Sequence, residues 1–117
     1  MQASRDRVNP IIEKQIKSLW YQMVADIKNV EEAEIIFGDL FSEIETTAIT
    51  KRLAVGYYLN KKRSYEVIKN NLKVSSATIA TVQQGINKPG WKMALEKVLA
   101  EEFSTKWEKK IKKLFKQ

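Results

Sequence analysis

The run Ser75-Ser76-Ala77-Thr78-Ile79-Ala80-Thr81-Val82 gathers hydroxyls and methyl-sized side chains at helical spacing. Ser64 to Leu72 precedes it with the same grammar: a serine cap, then a short apolar-periodic stretch. Together they read as two short helices joined by a tight turn. Ile68 and Leu72 form the inner face of the first helix, Val74 plugs the turn, and Ile79 and Val82, three apart, form the inner face of the second. This leaves Ser76, Ala77, Ala80, Thr81 and Gln84 on the outer face of the second helix. The chemistry such a face can do is recognition. Small side chains let a helix backbone approach base edges, hydroxyls bond to bases or phosphates, and alanine and threonine methyls meet a thymine methyl. A helix start at Ser75-Ser76 offers free N–H groups to a phosphate. Tyr65, Lys69 and Lys73, with Lys61, Lys62 and Arg63 nearby, supply the groups that hold a phosphate backbone in register. By pattern alone the same window also fits an ordinary capped helical hairpin.

Composition narrows the other chemistries. The 117 residues contain no cysteine and no histidine. Thiolate ligands, disulfides and nucleophilic cysteine are therefore excluded, and neutral-pH general-base and zinc schemes lose their usual residue. Glu31, Glu32 and Glu34 cluster, but they open a helix, where acidic residues complement the dipole. No nucleophile–base pair or metal-ligand spacing is found, so neither an enzyme nor a cofactor is expected. The formal charge is +7, from 21 basic and 14 acidic residues, while 44% of the chain is apolar. That combination describes a folded cationic domain rather than a disordered tail, with nucleic acid the leading partner and a membrane surface the second.

The elements that must position these residues are all helical. Four glycines and two prolines interrupt the chain. Asn9-Pro10 reads as a cap and first helical residue. The helix after it carries Ile12, Ile16, Leu19, Trp20, Met23, Val24 and Ile27 on one face and fades near Lys28-Asn29. A short helix from about Val30 carries Ala33, Ile36, Phe37 and Leu40, with Gly38 a weak point. Ser42-Glu43-Ile44-Glu45 has the capping-box form. It opens a third helix carrying Ile44, Ala48, Ile49, Leu53, Val55, Tyr58 and Leu59. Tyr57-Tyr58 is read as packing plus an exposed hydroxyl. After the two recognition-type helices, Asn87-Lys88-Pro89-Gly90 is a break. A last amphipathic helix runs from about Trp91 to Phe115. The organisation expected is a single helical domain over 1–117: dimer-core helices over 10–63, a helix-turn-helix over 64–86 and an amphipathic helix over 90–117.

The window and its surroundings resemble the Trp repressor superfamily, especially its smaller Trp-repressor-like bacterial branch. The residues that carry the likeness are Lys51-Arg52-Leu53-Ala54-Val55, Leu59, Ser64-Tyr65, Ile68 and Ser75-Ser76-Ala77-Thr78-Ile79. The last of these matches the start of the family's recognition helix. Phe37-Gly38-Asp39-Leu40-Phe41 resembles the stretch before its third helix. The likeness spans roughly Glu31 to Ile86, and its specificity comes from the ungapped stretch Glu45 to Ile79. It implies an all-α fold, an intertwined homodimer with one helix-turn-helix per half, and sequence-specific transcription regulation on double-stranded DNA. It further implies that Ser76, Ala77, Thr78, Ala80 and Thr81 face bases and that Tyr65, Lys69 and the basic residues near the turn face phosphates.

Two departures from the family pattern matter. The turn residue that is often glycine is Lys73 here, a small steric cost if φ is positive. Tryptophan-binding members use two arginines. Arg52 matches the first, and the second position is Thr81, which cannot form the charged contact a carboxylate needs. Tryptophan as co-repressor is therefore disfavoured. Arg52 could line an effector pocket or pair with Glu45 or Glu66.

Elsewhere, Trp20, Trp91 and Trp107 sit on apolar helix faces and read as core or interface. From Ser104 the tail carries six lysines against one glutamate, interleaved with Trp107, Ile111, Leu114 and Phe115. It fits a dimer-packing helix with a solvated lysine face, a basic arm on DNA, or an interfacial membrane helix. No apolar run reaches the roughly 18 residues of a membrane span. Met1 to Asn9 lacks the apolar segment of a secretory signal, so a cytoplasmic protein is expected. A helical protein-interaction module that does not bind DNA is the second reading.

Overall fold

A computed structural model describes residues 6–115, with side chains described through residue 102. Its elements are α1 (Pro10–Ala25), α2 (Val30–Leu40), α3 (Glu43–Asn60), α4 (Tyr65–Leu72), α5 (Ser76–Gly85) and α6 (Pro89–Phe115). The fold is all-helical, as expected.

Each boundary traces to a local signal. The Asn9 side-chain oxygen accepts from the Ile11 N–H at 2.9 Å and Pro10 fills the first helical position. The Asn29 oxygen accepts from the Glu32 N–H at 2.8 Å. At the start of α3 the capping box is reciprocal. The Ser42 hydroxyl accepts from the Glu45 N–H at 3.1 Å, and the Glu45 carboxylate accepts from the Ser42 N–H at 2.9 Å. Hydrogen bonding of the Glu45 carboxylate by the Ser42 N–H, and next by the Ser42 hydroxyl, holds the carboxyl below its ordinary value of 4.5. The Ser64 hydroxyl accepts from the Val67 N–H at 3.2 Å, and the Ser75 hydroxyl from the Thr78 N–H at 3.1 Å.

Two boundaries differ from expectation. α1 ends at Ala25, before Lys28-Asn29. The break before α6 is shorter than Asn87 to Gly90, because Pro89 is itself the first residue of α6 and Gly90 lies inside the helix. A proline lacks only an N–H that has no partner in a first turn, so it starts a helix as readily as it ends one. α2 passes through Gly38 without interruption.

α3 and α4 are joined by a left-handed residue. Lys62 has φ 61°. The Arg63 N–H bonds the Tyr58 carbonyl at 3.1 Å and the Lys62 N–H bonds the Leu59 carbonyl at 3.0 Å. This is a Schellman-type stop, usually completed by glycine.

Packing divides the chain into two compact units, Met1–Thr47 and Ala48–Gln117. The first holds α1, α2 and the first turn of α3. Its centre is an aromatic trio: the Trp20 ring is 5.9 Å from both Phe37 and Phe41, and those two stack at 5.4 Å. Neither α1 nor α2 has a fully buried residue. The second unit holds a small core in which Val55, Ile68 and Ile79 are fully buried and Val82 nearly so, with Tyr58, Leu59, Leu72, Val74 and Trp91 packed around it. α3 carries no continuous apolar stripe: Ile44, Ile49 and Leu53 are exposed and only Val55 and Gly56 are buried. In α6, Leu95 is buried and Val98 and Leu99 are half-buried. The side chains of Phe103, Trp107, Ile111, Leu114 and Phe115, and the rest of the lysine-rich tail, lie outside the described residues.

Candidate nucleic-acid interface

The interface is built outward from the second unit's core. Ile68 from α4 and Ile79 and Val82 from α5 are the side chains that α4 and α5 bury. Spaced three or four apart along a helix, such residues fix which face turns inward. Of the other residues on the first two turns of α5, Ser76, Ala77, Thr78 and Thr81 are left outside and Ala80 is half-buried.

The turn between the two helices ends α4 at Lys73, with φ 55° and ψ 52°. The left-handed conformation that the glycine-like position demands is therefore borne by a lysine. Its Cβ crowding costs about 1–2 kcal/mol. The turn is braced from α3, where the Lys51 ammonium donates to the Lys73 carbonyl at 3.4 Å. Val74, half-buried against the core, closes the turn from below.

Ser75, Ser76, Ala77, Thr78, Thr81 and Gln84 are all exposed. Ala80 is half-buried, set further back than its neighbours. The hydroxyls of Ser75 and Thr78 lie 3.0 Å apart, and the Thr81 hydroxyl donates to the Ala77 carbonyl at 2.9 Å. The Thr81 proton is thus spent within the helix. What Thr81 can offer a ligand is its methyl group and the remaining acceptor capacity of its oxygen. Ser75 caps the helix by accepting from the Thr78 N–H, and the N–H groups of Ser76 and Ala77 ahead of it point to where an external acceptor would sit.

Around this face, Lys69, Lys73, Lys62 and Arg63 are exposed. Lys61 differs from the others: it pairs with Glu102 of α6 at 3.0 Å and lies 5.7 Å from the Tyr57 ring. The Tyr57 hydroxyl bonds Glu102 as well, and that bond to a carboxylate pushes the phenol above its ordinary value of 10.0. The Tyr57 hydroxyl, expected to be solvent-exposed, is instead part of a clasp between α3 and α6.

Tyr65 is 37% exposed and its hydroxyl donates to the Gln83 side chain, tying the start of α4 to α5. Gln83 is a residue that sequence reasoning missed. Nothing in its spacing marks it, because the bond spans 18 positions. Arg52 lines an open cleft of about 400 Å³ together with Thr78, Thr81, Val82 and Trp91. Its suggested partner Glu45 is held by Ser42. Trp91 is the other residue that sequence analysis did not attach to this site. Among the described residues, no cluster of three or more acidic, histidine or cysteine side chains could hold a metal ion. Among them, too, no helix is long and apolar enough to cross a membrane.

Comparison with known proteins gives one family. A family profile described as Trp repressor protein matches residues 14–99, a wider span than Glu31 to Ile86. No curated protein and no solved structure matches the chain.

Proposed function

This chain belongs to the Trp repressor protein family, and on that premise we propose that it is a sequence-specific transcriptional regulator that reads the DNA major groove with α5. The observation that carries the reading is the division of labour on α5. Ile79 and Val82 are buried against Ile68, while Ser76, Ala77, Thr78 and Thr81 stand exposed beside the capped helix start. Bases would be met by Ser76, Ala77, Thr78, Thr81 and Gln84, with Ala80 behind them. Phosphates would be met by Ser75, Lys69 and Lys73, with Lys62 and Arg63 adding to the field, while Tyr65, whose hydroxyl donates to Gln83, braces α4 on α5.

A homodimer completes the proposal. α1 carries Ile11 at 71% and Leu19 at 72% exposure, with Ile12 and Ile16 also exposed, and α2 exposes Val30, Ile35 and Leu40. Helices with this much uncovered apolar surface are stabilised by association. A second copy of the chain supplies the same surface in return. Two copies would place two α5 helices on half-sites about one helical turn apart, on a roughly palindromic operator. Tryptophan is not proposed as co-repressor. Thr81 is neutral and its hydroxyl is engaged by Ala77.

Selection of random duplex DNA by the purified protein, at moderate salt with and without tryptophan, tests the reading. A palindromic motif enriched equally in both arms is the expected result. Retention without any motif would overturn it and leave a protein-interaction module as the better description. Replacing Thr78 or Thr81 by Glu should abolish operator binding while the dimer stays folded. Unchanged affinity in both would remove α5 as the reading helix.

A further inference from the structure

The recognition helix needs something to fix its pitch relative to the rest of the second unit, and one side chain touches every part of that problem. Gly56 is buried on α3. A Cβ built on it would lie 2.3 Å from Cζ3 of Trp91, 2.9 Å from Cη2 and 3.1 Å from Cε3. The six-membered ring of Trp91 therefore rests on the bare backbone of α3, at a distance only glycine permits. The other edge of the same indole points to the end of α5: its Cδ1 is 3.9 Å from where a Cβ of Gly85 would stand. Between those two glycines the indole packs on the Val55–Ile68–Ile79–Val82 core. It also forms a wall of the cleft shared by Arg52, Thr78 and Thr81, two of which belong to the recognition face.

The wedge is itself held. Pro89 starts α6 two residues earlier, so Trp91 sits in the rigid first turn of that helix. About three turns further along α6, Glu102 bonds both Lys61 and Tyr57 of α3. The indole is thus pinned on α3 by its own helix and presents its far edge to α5.

We propose that Trp91 is the positioning residue of the recognition helix: its indole, seated on Gly56, sets the attitude of α5 for DNA without any bound small molecule. The inference rests on the DNA-binding reading above and names how that site is regulated, namely by a built-in aromatic group. A helix that reads bases must be held to within about half an ångström. Deleting the ring leaves an apolar gap into which α5 can settle in more than one way.

The test uses the full chain, the operator selected by the wild type, and a temperature at which each variant is folded by circular dichroism. Trp91→Ala should weaken operator binding roughly 10- to 100-fold. Free indole at millimolar concentration should restore much of that loss, since an apolar gap of this kind takes up a flat apolar guest. Trp91→Phe, which folds more readily, should show a smaller loss. Gly56→Ala should weaken binding by a similar factor on its own and by almost nothing in the Trp91→Ala background, because both changes act on one contact. Wild-type protein unfolded, dialysed and refolded should bind as before. Wild-type operator affinity in folded Trp91→Ala, additive effects of the two substitutions, or a need for an added small molecule after refolding would each overturn the proposal. A readout without DNA separates it from the reading it rests on. The amide resonances of Thr78 and Thr81 should shift in Trp91→Ala and return with indole. Amides that stay in place overturn the wedge even if DNA binding holds, and amides that move support it even if no operator is found.

Discussion

The two compact units are built from the same material and end differently. Both start their helices with asparagine or serine caps whose side chains accept first-turn N–H groups. Both carry apolar residues at helical spacing. Yet in the second unit Val55, Ile68 and Ile79 lose all exposure, while α1 and α2 bury nothing completely. Local signals therefore fix where helices begin in both units, and burial separates the two. An unaccompanied chain finds partners for the apolar face of α5 and leaves Ile11, Leu19 and Ile35 largely in water. Each such side chain is worth about 1.5–3 kcal/mol when fully covered. On the proposed function the two units have different tasks: the second folds on itself and would hold a polar reading face, and the first exposes an apolar face that a second copy would cover.

The sharpest way to break this comparison is to charge the first unit. Replacing both Ile16 and Leu19 by Glu should convert a dimer to a monomer in sedimentation at micromolar concentration. Operator affinity should fall by a factor on the order of 10² to 10⁴, because the second half-site no longer binds intramolecularly. Helices α4 and α5 should keep their circular-dichroism signal. A double variant that remains dimeric would place the dimer contact elsewhere.

Truncating the core of each unit sharpens the contrast. Ile79→Ala should cost about 2–5 kcal/mol of unfolding free energy, and the loss should not depend on protein concentration. Leu19→Ala should cost little in dilute protein and more as concentration rises, since Leu19 is exposed in the single chain and the proposed dimer would cover it. Denaturant titrations of both variants at two concentrations check this. Equal concentration dependence would erase the distinction between the units.

These expectations also mark how far the sequence is legible. Asn9, Ser42, Ser64 and Ser75 can be read as caps because a cap is a relation between near neighbours. The inward residues Ile68, Ile79 and Val82 can be read for the same reason, from spacing along one helix. The contacts that set the interface cannot. Trp91 on Gly56, Tyr65 on Gln83 and Lys61 on Glu102 join residues far apart in the chain, and nothing in the local pattern pairs one end with the other. The Tyr57 hydroxyl read as solvent-exposed because its partner, Glu102, lies on another helix. α3 read as one apolar stripe because spacing reports which residues align. It does not report that Ile44 stays 82% exposed and Val55 is buried.

A smaller effect lies in the turn of the second unit. Lys73→Gly should stabilise the fold by about 1 kcal/mol, because glycine meets no Cβ crowding at φ 55°. The same change removes a cation beside α5. The salt dependence of operator binding should therefore flatten by about one phosphate contact. Stability rising while the salt slope falls would show that Lys73 is kept for DNA at the expense of the turn. A stability gain with no change in slope would make Lys73 a strained residue that contacts no phosphate.

The smallest expected effects are in pH, and they fall on opposite limbs. Glu45 has a folded-state value held below 4.5 by the Ser42 N–H and hydroxyl. Its contribution is therefore fully present above its ordinary value and is lost as pH falls through the lowered one. Tyr57 has a folded-state value raised above 10.0 by its bond to Glu102. Its contribution is fully present below the ordinary value and is lost as pH rises through the raised one. Glu45→Gln keeps an acceptor for the Ser42 N–H but carries no charge to titrate, so it should flatten the acid limb and leave the alkaline limb alone. Tyr57→Phe should do the reverse. Thermal melts of the two variants across pH check the pair. An acid limb unchanged by Glu45→Gln would mean that the capping box at the start of α3 contributes through its geometry alone, and that acid sensitivity arises from another carboxylate.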